Sequence, residues 1–84
     1  MSCHRYLFLP RIKDDNSILL IDVKKDKGEI SFRLINKTNN SVILLENPES
    51  GMYQYSLLKN NKYRIEITAK HTSGHYIIKK IHKD

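Results

Sequence analysis

Cysteine, glycine, proline, alanine and tryptophan are scarce in this chain. Its 84 residues hold one Cys, three Gly, two Pro, one Ala and no Trp. The lone Cys3 excludes an internal disulfide and a zinc site of the four-cysteine type. With Ala69 the only alanine, the best helix former is nearly missing, while isoleucine, which suits a pleated sheet, is frequent. No apolar run approaches the roughly 20 residues of a membrane helix, so no membrane insertion is expected. The stretch Tyr6-Leu7-Phe8-Leu9 after Arg5 is too short for a signal-peptide core of about 7–15 residues. The chain as written is therefore expected in the cytoplasm, or secreted or at the cell surface if it is an excised module. The length excludes dinucleotide-binding and (β/α)8-barrel folds and predicts one domain over residues 1–84.

What is present reads as strands. Hydrophobic residues make up 39% and charged residues 29%, which is too apolar for a disordered chain. From Lys62 to Lys70, Tyr63, Ile65, Ile67 and Ala69 alternate with Arg64, Glu66 and Thr68, the period of a strand with one buried face. Ile30-Phe32-Leu34 and Tyr53-Tyr55-Leu57 alternate in the same way. Ile18–Val23 is more uniformly apolar, as a central strand would be, and Val42–Leu45 and His75–Ile81 are two more strands. Tyr6–Leu9 reads as an edge strand, ended by Pro10. Turn chemistry separates them at residues 13–17, 24–28, 36–40, 47–51, 59–61 and 71–74, with Lys27-Gly28 and Ser73-Gly74 expected as hairpin turns. The sum is an all-β, antiparallel, seven-stranded immunoglobulin-like sandwich, with a small β-barrel as the alternative.

The stretch from Gly51 to Ile67, followed by the Gly74 turn and Ile77-Ile78-Lys79-Lys80-Ile81-His82-Lys83, resembles the C-terminal sorting domain of type IX secretion cargo and related Ig-like accessory domains of secreted bacterial proteins. Gly28–Asn36 is similar to the central strand of those families, and Leu7-Phe8-Leu9-Pro10 to their opening motif. Two positions depart from the pattern. Arg11 and Ile12 follow Pro10 where the family has Asn flanked by prolines, and Asn61-Lys62 stand where a glycine precedes the Tyr strand. Asn tolerates the left-handed conformation, so the turn survives. The resemblance implies an appended, non-enzymatic module whose terminal Lys79–Lys83 segment a transport machine reads.

Candidate chemistry is thin. Asp14 and Asp15 are adjacent, and neighbours on a strand point to opposite faces, so they make a turn and not a proton-sharing dyad. No Gly-x-Ser-x-Gly frame pairs a serine with a base. An enzyme is not expected. Cys3, His4, His71 and His75 are the candidate set for a tetrahedral zinc, should the N-terminus and the last turn meet at one pole. An exposed terminus and an exposed turn account for the same residues, and neither metal nor cofactor is expected.

The net charge is +6. Residues 1–39 carry 8 basic and 5 acidic groups, residues 40–61 carry 1 and 2, and residues 62–84 carry 6 and 2. The excess thus lies at the two ends. Lys79, Lys80, His82 and Lys83, with Tyr76, are the candidate binding residues, a cationic stripe for an acidic protein or a phosphate backbone. Lysines on a closing strand also blunt a sheet edge against aggregation. Tyr53, Tyr55 and Tyr63 fall on the apolar phase and are expected in the core. The expected function is a non-enzymatic interaction module that binds a protein partner through edge strands and loops. The alternative is a small basic inhibitor of phage or mobile-element type, or a nucleic-acid-binding protein.

Overall fold

The computed structural model describes residues 2–82, and of Ser2 and Cys3 the backbone alone. Its regular elements are all strands: β1 Ser2–Leu9, β2 Ser17–Asn36, β3 Val42–Glu46, β4 Gly51–Leu57 and β5 Tyr63–His82. Every pairing is antiparallel. The all-β antiparallel class is as expected, but among the described residues the strands number five and not seven, and they form a single curled sheet. The difference arises at two places read as hairpins. Residues 24–28 lie within β2 and residues 71–74 within β5. The two long strands run side by side from Ser17 opposite His82 to Asn36 opposite Tyr63.

The turn residues are absorbed as bulges, and the bulges are what keep the core continuous. Leu19, Ile21 and Val23 are buried at odd positions of β2, and Ile30, Phe32 and Leu34 at even ones. On β5, Tyr63, Ile65 and Ile67 are buried at odd positions, while Tyr76 and Ile78 pack on the core from even ones. A regular strand could not do this, because its side chains alternate with a period of two. The register supplies the shift. From Lys25 opposite Gly74 to Lys27 opposite Ser73, β2 advances two residues and β5 one; from there to Glu29 opposite Lys70, β2 advances two and β5 three. Each strand thereby gains one residue, which also bends the sheet.

Glycine makes the bend feasible. Gly28 has φ +89° and Gly74 φ +131°, conformations that a side chain rarely adopts. A Cβ on Gly28 would fall on the His71 carbonyl and 2.5 Å from Thr72 Cα; one on Gly74 would fall on the Lys24 carbonyl and 2.9 Å from Lys25 Cα.

The bend divides the sheet into two halves. One is β4, residues 17–25 of β2 and residues 73–82 of β5; the other is β3, residues 29–36 of β2, residues 63–70 of β5 and β1. The core lies between them. Phe32 of the second half meets Tyr76 of the first edge to face, with ring centroids 5.6 Å apart. Ile12, in the β1–β2 connection, is fully buried and is tied in by backbone hydrogen bonds, its N–H to Asn61 and its carbonyl from Asn60. Asn16, Asn40, Asn47 and Asn60 take the left-handed conformation in the connecting segments, so the asparagine-rich turns sit where expected, with Asn60 rather than Asn61 as the left-handed residue. No helix among the described residues is long and apolar enough to cross a membrane.

Candidate functional site

Lys79 and Lys80 are consecutive on β5 and therefore project from opposite faces. Lys80 stands opposite Leu19 on the inner phase, Lys79 opposite Leu20 on the outer, and both are exposed. Tyr76 faces inward against Phe32. His82 is exposed at the strand end, and Lys83 lies outside the described residues. These residues share a strand, not a surface. The other margin of β5 over residues 73–82 carries no paired strand among the described residues.

The histidines are likewise dispersed. His4 is on the outer face of β1, His71 is exposed at the bend with φ +49°, and His75 lines a cavity on the concave side. Among the described residues no three His, Cys, Asp or Glu side chains gather as a metal site requires. The Cys3 side chain lies outside the described ones. Asp14 and Asp15 are exposed in the β1–β2 connection.

Tyr63 is buried, and its hydroxyl accepts the Leu58 N–H at 2.8 Å. Tyr53 donates to the Glu49 carbonyl at 2.6 Å. Burial pushes the Tyr55 phenol above its ordinary 10.0, and Tyr53 beside it adds to the effect. These tyrosines serve the inner side of the sheet, as expected.

A different set of residues converges on the outer side of the second half. On β1 the period of two sends His4, Tyr6 and Phe8 outward. Register then builds three rows across four strands: Phe8, Arg64, Ile35 and Val42; Tyr6, Glu66, Arg33 and Leu44; His4, Thr68, Ser31 and Glu46. Phe8 is 65% exposed, Leu44 57%, Tyr6 51% and Val42 47%. Glu66, in the middle, is buried. Its carboxylate lies 3.4 Å from Arg64 Nη2, 3.7 Å from Arg33 Nη1 and 3.9 Å from His4 Nε2.

The cations are also arranged on the rings. The Arg64 guanidinium sits 5.7 Å from the Tyr6 centroid and Lys37 Nζ 5.6 Å from that of Phe8. His4 stacks on Tyr6 at 4.8 Å. Arg64 Nε is buried with no hydrogen-bond partner among the described residues.

Glu66 offsets part of the charge of two arginines that would otherwise stand together. Both arginines are substantially exposed, so the pairs are screened and each contributes little. Glu66→Gln should therefore cost about 1 kcal/mol and lower the melting temperature by roughly 4–8 °C. A thermal melt checks this, and an unchanged midpoint would mean that the carboxylate does not hold the face together.

The arrangement has no nucleophile–base pair and no cradle of backbone donors. It offers exposed apolar side chains, two of them aromatic, and a pair of guanidinium groups beside Glu66. The sequence reading missed it by following apolar alternation into the core. Its available signal was the phase His4, Tyr6, Phe8, three rings on one side of one strand. No protein family, curated protein or solved structure matches this chain.

Proposed function

We propose that this chain is a non-enzymatic interaction module that docks a protein partner on the outer face formed by Tyr6, Phe8, Ile35, Val42 and Leu44, with Arg33, Arg64 and Lys37 around them. One observation carries the reading. The solvent side of an antiparallel sheet is ordinarily polar, yet here the exposed rows present two aromatic and two aliphatic side chains. The apolar side chains form two groups, Tyr6 with Phe8 on β1 and Val42 with Leu44 on β3, flanking the charged middle of Arg64, Glu66 and Arg33, and exposed apolar groups rimmed by polar residues mark interaction sites. Aromatic residues and arginine are the residue types that anchor protein interfaces. The cations select a partner whose matching surface is apolar and acidic.

Nucleic acid is the competing occupant. The exposed aliphatic side chains Val42 and Leu44 offer neither phosphate nor base a partner, so the face favours protein. Divided at their bends, β2 and β5 give seven segments, and we propose that the two halves act as the layers of an immunoglobulin-like sandwich. The resemblance to sorting and accessory domains of secreted bacterial proteins supports a binding role of this kind.

The test is affinity capture from the native host with and without nuclease, using wild type, Tyr6→Ser/Phe8→Ser and Lys79→Glu/Lys80→Glu. The expected result is a protein retained by wild type and by the β5 variant and lost by the β1 variant. Capture that vanishes with nuclease would move the reading to nucleic acid. Capture lost only in the β5 variant would move it to the open margin of β5.

A further inference from the structure

The opposite, concave side of the sheet holds a cavity of about 380 Å³ at the bend. Its apolar wall is Val23, Ile30, Ile67 and Ala69, with the Tyr76 ring beside them. Its volume falls in the lower part of the roughly 300–1,000 Å³ range of small-molecule sites.

The formally charged residues that line this cavity share one sign, and Thr72 adds a neutral hydroxyl. Arg5, Lys24, Lys25 and His75 line it, and no aspartate or glutamate does. Arg5 is the informative residue. It stands opposite Ile67, on the inner phase of β1 that Leu7 and Leu9 otherwise occupy. A cation there breaks the apolar alternation of the strand without forming an ion pair among the described residues. Lys25 is committed elsewhere, since its Nζ donates to Asn47 Oδ1 at 2.7 Å. Arg5, on the inner phase, remains as the cation available to a ligand.

The cavity exists because of the fold's asymmetry. β1 flanks β5 over residues 63–70, whereas residues 73–82 have no neighbour on that side among the described residues. The inner surface beside Arg5 is therefore left without the strand that would fill it.

We propose that this cavity binds a small amphipathic anion, a carboxylate on a short alkyl or aryl body. The body lies on Val23, Ile30, Ile67 and Ala69. The carboxylate meets the Arg5 guanidinium, whose planar fork matches its two oxygens. This site is on the other side of the sheet from the docking face, and the two fail independently.

Octanoate is a suitable probe, with octylammonium and octanamide as its cationic and neutral counterparts, each titrated into isotopically labelled protein. Octanoate should shift the amides of Val23, Ile30, Ile67 and Ala69, and should bind about tenfold more tightly than octanamide and more tightly still than octylammonium. Arg5→Gln, on an exposed edge strand, should weaken octanoate about tenfold and leave octanamide unchanged. Ala69→Leu, which fills the wall, should weaken all three while the Arg5 variant still folds. The proposal is overturned if octanoate moves none of these amides, if the three probes bind alike, or if the shifts appear at Tyr6, Phe8 and Leu44 instead.

Discussion

Gly74→Ala should lower the melting temperature by roughly 12–24 °C, and Gly28→Ala should do nearly as much. The figure follows from about 3 kcal/mol of backbone strain and forced separation, at 4–8 °C per kcal/mol for a domain of this size. A domain of 84 residues has a total stability of roughly 4–13 kcal/mol, so either change removes a large part of it. The cause is local and specific. At Gly74 the added methyl would meet the Lys24 carbonyl and Lys25 Cα; at Gly28 it would meet the His71 carbonyl and Thr72 Cα. All of these are backbone atoms, which cannot swing aside as the end of a side chain would. Relief requires β2 and β5 to part at the point where both gain their extra residue. A melt within a degree or two of wild type would mean that the strands do not cross so closely there.

Phe32→Ala should cost about 3–5 kcal/mol, a large part of the total stability. Phe32 is 2% exposed and reaches from the second half of the sheet to Tyr76 of the first. Its removal opens a void between the two halves and forfeits the ring contact, worth about 0.5–1.5 kcal/mol beyond the burial. A urea titration reads the change as a shift of midpoint at constant slope. Phe8→Ala is the informative contrast. Phe8 is 65% exposed, and its loss should fall within about 0.5 kcal/mol. Two phenylalanines of equal chemistry would then differ severalfold in cost, and the stability-neutral one would be the one set aside for a partner.

The strands were legible because their side chains alternate. Tyr63, Ile65 and Ile67 are inward in the structure, as their spacing predicts. The bends were not legible as bends. Lys24–Gly28 and His71–Gly74 have the residues of hairpin turns, and a hairpin and a glycine bulge call on the same left-handed conformations. The distinguishing clue is the change from odd to even burial across residues 23–30. It constrains a continuous strand and not a hairpin, whose loop length is free to reset the phase.

The site was legible only in part. A run such as Lys79-Lys80 concentrates charge in sequence, but period-two geometry splits it between two faces. Conversely, Arg33 and Glu66 are 33 residues apart and meet because β2 and β5 pair in one register. Ile12 escapes for a similar reason. It belongs to no strand, and its burial depends on hydrogen bonds to Asn60 and Asn61.

The most direct measurement is an amide chemical-shift map of the labelled protein as a captured partner is added. The account predicts that the shifted amides cluster at Tyr6, Phe8, Arg33, Ile35, Leu44 and Arg64. A cluster along residues 77–82, or around the cavity at Arg5 and Tyr76, with the Tyr6–Phe8 face unmoved, would contradict it.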